Sequence, residues 1–68
     1  MGPRYPNVHV RIRSENPLAL ISAIRIGLRQ AGASHGEIDR FSTEALNQDD
    51  PGRAWRVCRE WAAVERSH

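Results

Sequence analysis

Hydrophobic and polar positions alternate with two different periods along the chain, and the change of period marks its elements. From Asn7 to Arg13 the period is two: Val8, Val10 and Ile12 fall on one side, His9, Arg11 and Arg13 on the other. That pattern predicts a half-buried strand with a polar outer face. From Pro17 to Ala31 the spacing becomes helical, with Leu20, Ile21, Ala23, Ile24, Gly27, Leu28 and Ala31 forming one apolar stripe. This is the longest apolar-periodic run, and the other segments are expected to pack against it. Asn16 suits its N-cap, Pro17 its first helical position and Gly32 its left-handed stop. A second helix is announced by Ser34 and Glu37 at capping-box spacing, with Ile38, Phe41, Ala45 and Leu46 as its buried stripe. After the polar loop Asn47–Asp50, the pair Asp50–Pro51 signals a third helix running into the low 60s. Its expected inner face is Ala54, Val57, Cys58, Trp61 and Val64, with Trp55 on the flank.

The reading is an α+β fold: one N-terminal strand followed by three helices, as a single small domain over residues 7–66 behind a loose lead-in of residues 1–6. It leaves one conflict. A lone strand with a buried face exposes a row of unpaired backbone groups and needs a partner. Either Trp61–Glu65 leaves the helix and closes the sheet as a short second strand, or the same strand of a second copy does so.

Length and charge narrow the rest. At 68 residues the chain is near the lower limit for folding without staples. The net charge is +2, and all ten basic residues are arginine, a choice that suits bidentate contacts to phosphate or carboxylate. The single cysteine, Cys58, allows no intrachain disulfide, no run is long enough to span a membrane, and the start lacks the apolar stretch of a signal peptide. These features lead us to expect a cytoplasmic protein that does not engage a membrane.

Catalytic chemistry is not expected. His9, His35 and His68 are scattered, no metal-ligand spacing involves them or Cys58, and there is neither a phosphate loop nor a nucleophile–base signature. No catalytic, metal or cofactor residues are therefore assigned. Three arginine-bearing faces remain as binding candidates, each of which is also what an ordinary solvated surface looks like. Arg53, Arg56 and Arg59 spread over about 120° of the third helix, beside Trp55, an interface-prone residue type. Ser22, Arg25 and Arg29 line the outer side of the central helix, where the expected ligand is acidic, a nucleic acid or an acidic protein surface. His9, Arg11 and Arg13 occupy the strand's outer face and, doubled across a twofold axis, could enter a DNA groove. A strand followed by two helices resembles the ribbon-helix-helix repressors in order and length, and implies a dimeric DNA-binding regulator. The Trp-bearing third helix is extra to that pattern.

The chain also resembles a family of short, uncharacterised proteins from actinobacterial, phage and other mobile-element genomes. The likeness rests on Tyr5-Pro6-Asn7-Val8 before the strand, Leu28-Arg29-Gln30-Ala31-Gly32 closing the central helix, and Glu37-Ile38-Asp39 with Phe41. Glu44-Ala45 and the late Trp61 complete it. It departs from the family at Ser14-Glu15-Asn16-Pro17, where relatives carry a Gly/Asp-rich turn. A second departure is Trp61-Ala62-Ala63-Val64, where relatives show Trp-Val-x-Val. The resemblance implies no catalytic residues. It implies an accessory protein, and by analogy with the small anti-CRISPR proteins of phages, an inhibitor of a host defence complex. The expected partner is then a host protein or nucleoprotein complex, with DNA on the regulator reading, engaged by a monomer or a homodimer.

Overall fold

The computed structural model describes residues 2–13 and 16–66. Ser14, Glu15 and His68, each weighed above, lie outside the described residues. The elements run β1 (Tyr5–Ile12), α1 (Pro17–Gln30), α2 (His35–Leu46), α3 (Pro51–Trp61) and β2 (Ala62–Arg66). The α+β class and the order of one strand then three helices are as the periodicities predict, and the closing strand is the first of the two solutions left open for the strand's partner.

All three helices begin where their caps place them. The Asn16 side chain accepts from the Leu18 amide at 3.0 Å, Ser34 from Glu37 at 3.3 Å, and Asp50 from Gly52 at 3.0 Å. Pro17 and Pro51 each occupy the first turn, where a missing amide proton costs nothing. α1 ends in a Schellman turn. Gly32 takes φ 87°, its amide donates to Arg29 O, and the Ala33 amide donates to Leu28 O at 2.9 Å. In the second helix only the serine half of the capping box serves the helix end. The Glu37 carboxylate instead faces the Arg4 guanidinium at 3.7 Å.

β1 pairs with β2 in parallel, within the chain. This gives the strand a partner from within the chain along one of its two edges. The strand starts at Tyr5, two residues before the alternation does, and Arg4 N–H donates to Glu60 O at 2.8 Å, so residues 4–6 belong to the fold rather than to a loose lead-in. The register breaks between Tyr5, paired with Ala62, and His9, paired with Ala63. Pro6, which has no amide proton to give to a ladder, falls within that break.

Three side chains depart from expectation. Ala31, expected in the buried stripe of α1, is its exposed C-cap, past the last helical turn. Val64 is not on the third helix, which ends at Trp61. Ala62 and Val64 instead form the inward side of β2, because the extended backbone begins at Ala62 (φ −143°, ψ 159°). Leu46, in the last turn of α2, is 55% exposed rather than buried and lines a shallow groove with Leu18 and Pro51.

The core gathers on Trp61, the hinge residue between α3 and β2. Its ring stacks with Tyr5 at 6.2 Å and meets Phe41 edge-on at 5.6 Å. The Arg4 guanidinium lies 4.7 Å above it, and the indole N–H donates to Glu44 Oε2 at 3.1 Å. β1 and α2 are thus tied to α3 through one side chain, and Leu20, Ile24, Leu28, Phe41 and Cys58 are the largest fully buried side chains. α1 lies close over β1 at Gly27, where a Cβ would fall 2.7 Å from Val8 Cγ1.

Candidate macromolecule-binding surface

The amphipathic pattern that buries Ala54, Cys58 and Trp61 turns the opposite side of α3 outward. Gly52, Trp55, Arg56 and Arg59, at i, i+3, i+4 and i+7, line a shallow groove of about 400 Å³ on that side. Gly52 opens the groove because it has no side chain to fill it. Trp55 is half-buried, its ring packed partly against the core, while Arg56 and Arg59 are exposed. Among the described residues neither arginine has a carboxylate within ion-pair distance. Arg59 also sits in the last turn of α3, where a cation is favoured by the helix dipole. Arg53, also exposed, stands outside the groove. Three of the four residues picked from helical spacing are therefore brought together, and the fourth is at their margin.

The strand face is a weaker assembly. His9 and Arg11 are exposed on β1, and Arg13 lies just past its end. Arg11 is register partner to Glu65 and faces its carboxylate at 3.6 Å, so part of the positive field is neutralised within the fold. His9 borders a separate shallow groove with Asn7, Val8, Gly27, Gln30 and Ala31. β2 supplies one edge of β1 with the partner that a twofold ribbon was expected to supply.

On α1, Arg25 and Arg29 share a groove of about 350 Å³ with Ser22, Ile26, His35, Ile38 and Asp39. The presence of His35 and Asp39 there was not anticipated from periodicity. The Gly32 turn was the available signal, since a Schellman stop sends the chain back beside the last turn of its helix. A fourth groove, of about 250 Å³, is mainly apolar and includes the exposed Leu18 and Leu46.

Reactive groups are not clustered. Among the described residues no three His, Cys, Asp or Glu side chains come together as a metal site. Burial pushes the Cys58 thiol up to about 11, which keeps it protonated and weakly nucleophilic. Among the described residues no helix is long and apolar enough to cross a membrane.

No family model, curated protein or solved structure matches this chain.

Proposed function

We propose that this chain is a non-enzymatic binding protein of phage or mobile-element type, an inhibitor that docks on a host defence nucleoprotein complex. The observation that supports this reading is the α3 groove, in which a half-buried Trp55 is flanked by Arg56 and Arg59. Trp and Arg are the residue types that carry most binding energy at protein interfaces, particularly when an anchored aromatic is ringed by polar groups. Both arginines present a planar fork suited to carboxylate or phosphate, and a nucleoprotein complex offers both. Arg53 would sit at the rim and act mainly on the association rate.

The test is functional. The chain is expressed in hosts whose RNA-guided nucleases block an incoming plasmid, and transformation efficiency is scored. Expected is restored transformation with the wild type, lost with Arg56→Glu/Arg59→Glu. Trp55→Ala should weaken binding to the purified complex by about 30-fold or more, the effect of losing one interface hot spot. Failure to protect across a panel of such hosts would overturn the proposal. Duplex binding abolished by Arg11→Ala/Arg13→Ala would instead support the DNA-regulator reading.

A further inference from the structure

We infer that the groove between α1 and the start of α2 binds the sugar-phosphate backbone of single-stranded nucleic acid. α1 carries Arg25 and Arg29 and no carboxylate along its 14 residues. The two arginines stand four residues apart, about 6 Å along the helix axis, and both line the same groove. Their guanidinium forks can therefore take separate phosphates of one strand without competing for the same oxygen. Ser22, one turn before Arg25 on the same wall, adds a hydroxyl donor, and the exposed His35 adds an imidazole from the facing element. Ile26 lies between the arginines in sequence and lines the groove while 60% exposed. It offers an apolar surface to a sugar or base, as single-strand binding sites commonly do beside their phosphate contacts.

The charge arrangement sets the polarity of the site. Among the described residues Asp39 is the one carboxylate lining the groove, so the phosphates must track the Arg25–Arg29 wall with the bases toward α2. Among the described residues no ion pair neutralises Arg25 or Arg29. An acidic protein surface would be attracted by the same charges. What favours a nucleic-acid strand is the combination of two forks one helical turn apart with a neutral apolar residue between them, which matches a repeating anion linked by less polar units. The site is distinct from the α3 groove and does not depend on the reading proposed for it.

The experiment is fluorescence anisotropy with a labelled single strand of about 12 nucleotides, within the span that compact single-strand binders cover. Binding is expected at low salt and should weaken about sevenfold between roughly 50 and 200 mM, the response to two phosphates released from counterions. Arg25→Gln/Arg29→Gln should lose about tenfold or more in affinity and most of that salt dependence. Arg25→Lys/Arg29→Lys should keep the salt dependence, because the charges remain while the forks are lost. Asp39→Asn should tighten binding. The charge-matched Arg40→Gln/Thr43→Glu, on α2 outside the groove, should bind within about twofold of wild type. All variants are at exposed positions, and far-UV circular dichroism verifies their folds. Equal losses in Arg25→Gln/Arg29→Gln and Arg40→Gln/Thr43→Glu would overturn the proposal by reducing the effect to net charge. So would competition by polyglutamate as effective as that by unlabelled strand, or no binding by the wild type at low salt.

Discussion

At Gly27 α1 has no room for a side chain against β1, and Gly27→Ala tests whether that contact governs the packing of α1 on β1. The substitution sets two effects of similar size against each other. In a helix interior alanine is favoured over glycine by about 1 kcal/mol. Here, however, the added methyl would stand 2.7 Å from Val8 Cγ1, against an optimum of roughly 3.5–4.0 Å for two carbons. Val8 cannot easily yield, since it is 5% exposed and its β-branched side chain is stiff at χ1. Overpacking of this kind costs about 1–3 kcal/mol, so the net expectation is a loss of about 1 kcal/mol. In a domain of this size that lowers Tm by roughly 4–8 °C. The same substitution in a Val8→Ala background should change sign, because the obstructing methyl is gone and the helix preference is unmasked. The coupling between the two sites should be about 2 kcal/mol, read from urea midpoints at constant m-value. If Gly27→Ala stabilises the wild type as much as it stabilises Val8→Ala, the contact does not restrict the helix and the reasoning fails.

Three further outcomes are expected. The Cys58 pKa is raised by burial from 9.0 to about 11; the protonated thiol therefore favours the folded state, fully below about pH 9 and decreasingly as the pH climbs to about 11. The stability of the wild type should fall across that window by up to about 3 kcal/mol relative to Cys58→Ala, and parallel curves for the two proteins would refute it. Trp61→Phe and Glu44→Ala should each cost about 1–2 kcal/mol through the lost indole–carboxylate bond, and the double variant should cost less than their sum; strict additivity in urea melts would mean the bond contributes nothing. Removing the Arg11–Glu65 pair, 3.6 Å apart with side chains 74% and 61% exposed, should alter stability by less than about 0.5 kcal/mol. A double-mutant coupling above about 1 kcal/mol would show that the pair fastens the sheet.

What could be read from the sequence was what depends on near neighbours. The caps Asn16, Ser34 and Asp50 act over two or three residues, so residue type and spacing suffice to place them. The Gly32 stop is equally local. Long-range features were legible only as needs. Strand alternation showed that β1 required a partner, but its parallel sense and register join residues at opposite ends of the sequence, which no local pattern encodes. Trp61 obscured the last strand because it belongs to the helical stripe, so the alternation of Trp61, Ala63 and Glu65 is out of phase with the real inward pair Ala62 and Val64. Gly27 fitted the apolar stripe, yet its need for a bare α-carbon comes from Val8, on another element. The surface followed the same division. Trp55, Arg56 and Arg59 share a groove because they share a helix, whereas His35 joins Arg25 and Arg29 only through the turn that follows α1.

The parallel pairing of β1 with β2 also has a consequence for biosynthesis. The first strand leaves the ribosome with Tyr5, and its partner begins at Ala62. At about 5–20 residues per second, β1 waits some 3–11 s for the residues that will cover its edge. During that interval an alternating strand with Val8, Val10 and Ile12 on one side is a template for association with other nascent chains. His9, Arg11 and Arg13 and the nearby Pro6 then act as gatekeepers, charge and a missing amide proton opposing the assembly of like strands. On this view the outer face of β1 needs no ligand to account for its arginines: they keep the earlier-made strand in solution until its partner arrives.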